Sequence, residues 1–195
     1  MTFPLHAGTR RVDSPLELGL LVRADCRLGG TVVAGLRPWQ WVVQLVLGGS
    51  LEPAMARALA AGLVRMPEAP CVAEGARLAA ALGDRAIGDL LVSALRAHDP
   101  GLLLEPDPAD PVHSVEDAIL RAVTTLCDLG DPVLRHEVLE RLRHAALPAE
   151  EVAVLCRWGD DAELDLWLPA VRAEGIPANL QEAVAGRLAE RGRAR

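Results

Sequence analysis

Apolar residues recur at spacings of three and four along two stretches of the chain, 70–98 and 114–175. This spacing places them on one face of an α-helix, so both stretches are predicted to be helical. Within them, an apolar helix repeatedly ends at a glycine, and the next residue is an aspartate that begins another helix. Three copies of this junction and a degraded fourth are present: Leu82-Gly83-Asp84, Leu129-Gly130-Asp131, Trp158-Gly159-Asp160 and Leu47-Gly48-Gly49.

The residue types at the junctions have physical reasons. Glycine ends a helix because it adopts the left-handed conformation without a Cβ clash. Aspartate begins one because its carboxylate accepts a hydrogen bond from a free backbone N–H near the positive end of the helix dipole. Asp131-Pro132 is the strongest copy, since proline suits the first helical position. Ser114 and Asp117 predict a capping box, and Ser14-Pro15 predicts the start of an N-terminal helix.

Equivalent positions around the junctions carry similar apolar residues, which predicts one buried face per helix. Seven residues before the three glycines are Ala76, Val123 and Val152, and four residues before them are Ala79, Leu126 and Leu155. Three residues before them are Ala80, Cys127 and Cys156. Two residues after the three aspartates are Ala86, Val133 and Ala162, and seven residues after them are Leu91, Val138 and Trp167. Eight residues after them are Val92, Leu139 and Leu168, and eleven residues after them are Leu95, Leu142 and Val171. The two cysteines at one repeat position are therefore predicted to be structural, and Trp41 and Trp167 to lie in the core.

An Ala- and Leu-rich helix, then Leu-Gly-Asp, then a second apolar helix, resembles the short HEAT-like repeats of the phycobilisome-lyase type. The resemblance covers 70–98 and 114–175 and is weaker over 37–64. It implies an all-α fold, a short α-solenoid of about four two-helix repeats with N- and C-terminal capping segments.

Within a single domain overall, 1–36 would be an arm and capping segment and 37–195 the repeat domain. A hairpin around Gly29-Gly30 is an alternative for part of the first segment. Residues 178–191 are predicted to form a closing helix with an arginine-rich exposed side to which Arg187, Arg191, Arg193 and Arg195 belong.

Composition narrows the class of protein. Hydrophobic residues make up 51% of the chain and aromatic residues only 3%, which favours helices over sheets. The net charge of −7 argues against a surface that binds nucleic acid as a whole. The four cysteines have neither zinc-site nor disulfide-framework spacing, which favours a reducing, cytoplasmic compartment. The apolar stretch 32–51 is interrupted by polar residues and proline, so no membrane span is predicted.

An arginine also recurs with the repeat. Arg96, Arg143 and Arg172 each lie twelve positions after a junction aspartate. In a stacked solenoid they would align on the face formed by the second helices, and we call this set the arginine row. One hypothesis is that the row binds an acidic protein surface or phosphates through its guanidinium groups. The alternative is that each arginine offsets a helix dipole and covers apolar surface with its stem.

The segment 99–111 is rich in proline and aspartate, so no continuous helix is predicted there. Leu102, Leu103 and Leu104 are predicted either to pack back onto the repeats or to contact a partner. Trp39 and Trp158 are further candidates for a partner contact, because tryptophan anchors many protein interfaces.

No catalytic motif is present: the chain has no Gly-rich phosphate loop, no GxSxG and no HExxH. His136, Glu140 and His144 share one helical stripe, but neighbouring arginines oppose a cation, so a solvated polar face is predicted there. Neither a metal nor another cofactor is expected.

The predicted function is a non-catalytic protein–protein interaction module, scaffold or adaptor, which binds another protein through the second-helix face and the 99–111 segment. An alternative from another class is a HEAT-like nucleic-acid binder or DNA glycosylase-like enzyme that uses the arginine row and Trp158. A weaker alternative, implied only by the resemblance, is a chromophore lyase or chaperone. A homodimer is also compatible, since solenoids with imperfect end caps can pair.

Overall fold

The computed structural model describes residues 5–7, 10–28, 36–107, 110–174 and 178–193. Internal contacts divide the chain into two compact units, 1–127 and 128–195. The described residues are mostly helical and contain only four short strands, so the predicted all-α class is confirmed. No helix among them is long and apolar enough to cross a membrane.

The first unit contains two short antiparallel hairpins and seven helices within its described residues. In chain order these elements are β1 (Leu5–Ala7), β2 (Arg10–Val12), α1 (Pro15–Leu28), α2 (Pro38–Leu47), α3 (Pro53–Val64), α4 (Ala69–Leu82), α5 (Gly88–Ala97), α6 (Pro100–Leu103), β3 (Pro106–Asp107), β4 (Asp110–Ser114) and α7 (Val115–Leu126). A 3₁₀ turn, Arg85–Ile87, precedes α5. The alternative hairpin at Gly29-Gly30 lies outside the described residues.

Helix α4 is the centre of the first unit, and it packs against α3, α7, α2 and α1. Its small side chains allow these close approaches, and residues 71–76 are all buried. Gly75 is required where α4 meets the end of α3. A Cβ there would lie 2.8 Å from the Leu63 Cβ and 2.9 Å from the Val64 backbone nitrogen.

The second unit is built from α8 (Pro132–His144), α9 (Pro148–Trp158), α10 (Asp161–Glu174) and α11 (Ala178–Arg193). Helix α9 contacts the other three. The core of this unit includes Leu139, Leu142, Val152, Leu155 and Val184.

The predicted repeat positions show matching burial in both units. The positions seven and four residues before the glycines, and those seven and eleven after the aspartates, are buried where described: Ala76, Val123, Val152, Ala79, Leu126, Leu155, Leu91, Val138, Leu95 and Leu142. The side chains of Trp167, Leu168 and Val171 lie outside the described residues, and Trp41 is buried as predicted.

Two sets of repeat positions are less buried than predicted. Ala80, Cys127 and Cys156 are only partly buried. Ala86, Val133 and Ala162 are exposed, not buried. All three lie where a second helix or its leading turn begins, one turn before the helix reaches the core. The three positions thus share one environment, although it is not the predicted one.

The junction chemistry varies from copy to copy. Gly83 has the predicted left-handed conformation, with φ of 62°, and ends α4. Gly159 is extended instead, with φ of −64° and ψ of 143°. Glycine is needed there for a different reason, because a Cβ would lie 2.5 Å from the Leu155 carbonyl oxygen.

The capping predictions hold at two of the three junction aspartates. The Asp131 carboxylate accepts a hydrogen bond from the Val133 N–H at 2.8 Å. The Asp160 carboxylate accepts one from the Glu163 N–H at 2.8 Å. Asp84 makes no side-chain cap, since the 3₁₀ turn intervenes before α5.

Two arginines of the closing helix α11 have environments that differ from the prediction. Arg187 and Arg191 are partly buried, whereas Arg193 is exposed as predicted. Arg195 lies outside the described residues. The Arg191 Nη1 donates to the Asp165 Oδ1 at 2.8 Å, and the Arg187 Nη2 donates to the Gly159 carbonyl oxygen at 3.1 Å. These arginines therefore tie α11 to α10 and to the turn before it.

Candidate functional site

A cluster of buried charged side chains is centred on α4 in the first unit. Glu74 and Arg77 are three residues apart on α4 and so lie on the same helical face. The Arg77 Nη1 donates to the Glu74 Oε1 at 2.9 Å, and the Arg77 Nη2 donates to the Asp107 Oδ2. Glu74 is 2% exposed and Asp107 is 1% exposed. One guanidinium thus satisfies two buried carboxylates from different parts of the chain.

The cluster also reaches the start of α2. The Trp39 backbone N–H donates to the Glu74 Oε2 at 3.2 Å. Burial raises the pKa of the Glu74 carboxyl, although the charge of Arg77 and the Trp39 hydrogen bond oppose that rise. Here two carboxylates share one guanidinium in a low-dielectric interior. A proton on Glu74 therefore reduces the net negative charge of the three side chains.

Asp107 connects this cluster to a folded segment, residues 100–107 and 110–114, which includes most of the proline-rich stretch 99–111. We call α6, β3 and β4 together the hairpin segment. The Asp99 carboxylate caps α6 by accepting a hydrogen bond from the Gly101 N–H at 2.8 Å, and β3 pairs antiparallel with β4. As predicted, no continuous helix runs through these residues.

The three leucines of this segment have different environments. Leu103 is buried and fixes α6 against the unit. Leu102 is 46% exposed and Leu104 is 58% exposed. Val112 on β4, which was not among the predicted contact residues, is 85% exposed. The hairpin segment therefore anchors one leucine and presents three large apolar side chains to solvent.

On β4, His113 and Asp110 form a polar pair. The His113 Nδ1 lies 3.1 Å from the Asp110 Oδ2. Partial burial acts to raise the pKa of the Asp110 carboxyl, but the hydrogen bond and charge of His113, with Arg37 and Arg77, outweigh it and lower the pKa.

Helix α7 begins with the predicted capping box. The Ser114 N–H donates to the Asp117 Oδ2 at 2.7 Å, and the Asp117 N–H donates to the Ser114 Oγ at 3.2 Å. The second carboxylate oxygen, Asp117 Oδ1, is buried and has no hydrogen-bond partner. Buried carboxylate oxygens are normally satisfied, so this atom requires an explanation.

A cavity of about 140 Å³ lies beside this capping box. Its polar lining residues are Arg77, Asp110, His113, Asp117, Arg121 and Thr125, and three alanines complete the wall. Arg77 connects the cavity to the buried charge cluster. The hairpin segment, the cluster and the cavity thus form one continuous region of the first unit.

The predicted arginine row is divided between the units. Arg96 is exposed on α5 of the first unit, whereas Arg143 lies on α8 of the second. The Arg143 Nε donates to the Glu151 Oε1 at 2.8 Å, and its Nη1 donates to Glu140. The Arg172 side chain lies outside the described residues. A continuous row stays a prediction, and Arg143 ties α8 to α9.

The two candidate tryptophans have distinct surroundings. Trp39 is partly buried, and its indole Nε1 has no hydrogen-bond partner, which is unusual for a buried tryptophan. The Trp158 Nε1 donates to the Asp128 Oδ1 at 2.9 Å. The Arg157 guanidinium lies 4.4 Å from the centre of the Trp158 ring, a cation–π contact. Trp158 is thus held within the second unit.

The remaining polar candidates form no metal centre in the parts of the chain that the structure describes. No three His, Cys, Asp or Glu side chains among those residues lie close enough to hold a metal ion. His136 and His144 are exposed, and Glu140 accepts from Arg143.

Sequence reasoning missed Glu74, Arg77 and Asp107. A signal was present, because Glu74 and Arg77 interrupt the Ala-rich helix 69–82, whose other residues are almost all apolar or small. A charged pair at a spacing of three on such a helix indicates a paired, buried group. The position of its third member, Asp107, could not be read from the local pattern.

Comparison with known protein families, with curated proteins and with solved structures found no match to this chain.

Proposed function

We propose that this chain is a non-catalytic protein-interaction module of the HEAT-like kind. Its docking surface consists of the exposed side chains Leu102, Leu104 and Val112, and its partner is a protein with a complementary apolar patch. The observation that carries the proposal is the contrast between Leu103, which is buried, and its two exposed neighbours. Adjacent apolar side chains exposed on a fixed element are typical of interaction sites.

The anchoring of the hairpin segment supports this function. Asp107 is held by Arg77 at a buried site, and Leu103 is packed into the unit. Binding therefore needs little ordering of the segment, which lowers the entropic cost of association. Full burial of a leucine contributes about 1.5–3 kcal/mol, so two leucines supply a substantial part of a micromolar affinity.

The repeat architecture is part of the same proposal. Matching burial at equivalent positions, such as Ala76, Val123 and Val152, supports HEAT-like two-helix repeats. The arginine row would add contacts to an acidic partner surface, and the exposed Arg96 is compatible with that role. The nucleic-acid alternative draws on Arg143 and Trp158. Both side chains are engaged by carboxylates of the second unit, which counts against it.

The test is a quantitative capture experiment on the full chain. Wild-type protein is immobilised and compared with the double variant Leu102→Ser/Leu104→Ser. Leu47→Ser is the matched control, because Leu47 is 75% exposed on α2 and outside the docking surface. A partner should be retained by the wild type and by Leu47→Ser, and the double variant should bind it about 100-fold more weakly.

Two results separate the remaining possibilities. Equal retention by the double variant rejects the docking surface. Sedimentation velocity of the wild type alone tests the homodimer: self-association that the double variant abolishes identifies a second copy of the chain as the partner.

A further inference from the structure

The cavity beside α7 is lined by residues other than those of the docking surface. Its lining contains two guanidinium groups, Arg77 and Arg121, and two carboxylates, Asp110 and Asp117. The lining thus offers both positive and negative groups. A ligand that carries both an ammonium and a carboxylate group can be held at both ends.

We propose that this cavity binds a small zwitterion of the α-amino acid type. Its ammonium group donates to the Asp117 Oδ1, and its carboxylate accepts from the Arg121 guanidinium. The Asp117 side chain is 6% exposed, and its Oδ1 is the buried acceptor without a partner. A charged donor at that atom satisfies it better than an apolar group, which would leave it desolvated.

Arg121 suits the carboxylate end of such a ligand. A guanidinium has five N–H donors in a planar fork, so it can hold a carboxylate in addition to contacts within the protein. Arg77 already donates to Glu74 and Asp107. It is therefore not the primary contact for the ligand.

The size of the cavity limits the ligand. Its volume of about 140 Å³ is roughly ten times the 10–15 Å³ of accessible space that one water molecule needs. The wall includes three small residues, Ala80, Ala118 and Ala122, and a cavity of this volume suits a small amino acid. Glycine, alanine and serine are therefore the best probes.

The first experiment is calorimetric titration of the full chain with glycine, L-alanine and L-serine. Acetate, methylammonium and glycerol are the controls, because they carry one charge or none. We expect saturable binding of at least one amino acid, at least tenfold tighter than every control. The proposal is overturned by no saturable binding up to roughly 20 mM, or by a control that binds as tightly as the amino acids.

Variants locate the binding. Asp117→Asn keeps an oxygen for the Ser114 N–H but puts a donor in place of the free acceptor, so affinity should fall at least tenfold. Asp131→Asn is the matched control, since it alters a capping aspartate of the second unit, and it should bind as the wild type does. Amino-acid affinity unchanged in Asp117→Asn would refute the site.

A second variant keeps the test decisive if Asp117→Asn folds poorly. Ala80→Leu places three additional carbon atoms at the cavity wall and leaves the capping box unaltered. Binding should be lost while the far-ultraviolet circular dichroism stays that of the wild type. Retained binding in a folded Ala80→Leu protein would equally overturn the proposal.

Discussion

The Arg77 guanidinium donates a hydrogen bond to the carboxylate of Asp107, thirty positions further along the chain. Asp107 is almost completely buried, and Arg77 also holds Glu74. The pair fastens β3 to α4, so the exposed leucines next to β3 project from a fixed base. A buried charge that loses its partner is costly, which makes this contact testable.

Replacing Asp107 with alanine should lower the free energy of unfolding by about 3 kcal/mol, because it leaves part of the Arg77 charge uncompensated in the interior. Urea denaturation followed by circular dichroism measures the change. The control is Asp110→Ala, which removes a partly exposed carboxylate of the same hairpin and should cost less than about 1 kcal/mol. Equal effects of the two variants would show that Asp107 is not the anchor.

Glu74 makes a specific contribution to the pH dependence of stability. Its pKa is raised above the unfolded value of 4.5, so the folded state holds this proton more tightly than the unfolded state. The resulting stabilisation is present in acid and is lost as the pH rises through the folded pKa. The stability of the wild type relative to Glu74→Gln should therefore fall as the pH rises above 4.5.

Asp110 provides the control of opposite sign. Its pKa is lowered from 3.8, so its stabilisation is present above that value and is lost as the pH falls through the folded pKa. The stability of the wild type relative to Asp110→Asn should decrease only in strong acid. Urea denaturation of the three proteins over the pH series measures both effects. A flat difference for Glu74→Gln would contradict the assigned cause.

Gly75 and Gly62 lie on neighbouring helices and make a matched pair. Gly75→Ala should destabilise the protein by about 1–3 kcal/mol, because the added methyl group overlaps Leu63 and the Val64 backbone. A Cβ at Gly62 meets nothing within 4 Å, so Gly62→Ala should stabilise α3 by up to about 1 kcal/mol. Thermal unfolding of both variants measures the difference. The same sign for both would show that α3 and α4 do not approach each other as described.

Cys127 should be a poor nucleophile. Burial, with the charge of Asp89, raises the pKa of its thiol to about 11 from 9.0. Two pKa units mean about 100-fold less thiolate at pH 8, so alkylation by iodoacetamide should slow by that factor. Mass spectrometry of the labelled chain measures the rate at each cysteine. In urea all four should react alike, and fast labelling of Cys127 in the folded protein would contradict this environment.

Local signals in the sequence predicted the parts of the fold that depend on local chemistry. The capping box at Ser114 and Asp117, the cap at Asp131 and the left-handed Gly83 each need only a few neighbouring residues. Asp84 was predicted wrongly because a 3₁₀ turn follows it, in which the Arg85 and Ile87 N–H groups already donate to the Gly83 and Asp84 carbonyl oxygens. The short hairpins escaped prediction because strands of two to five residues are too brief for an alternating pattern.

The candidate site depended on contacts between residues distant in sequence. Leu102 and Leu104 could be selected as exposed candidates, but the burial of Leu103 between them depends on how α6 packs. The cluster of Glu74, Arg77 and Asp107 was missed for the same reason. A carboxylate in a proline-rich stretch has no local feature that identifies its guanidinium partner on another helix.

Ser114 belongs to two elements of the fold. It is the last residue of β4 and the residue that caps α7. The strand therefore cannot slide along its own axis without breaking the bonds between Ser114 and Asp117. We therefore expect the hydrogen-exchange rates of the amides in the first turn of α7 to respond to a change in the position of β4. A molecule that binds Val112 should change these rates without contacting α7.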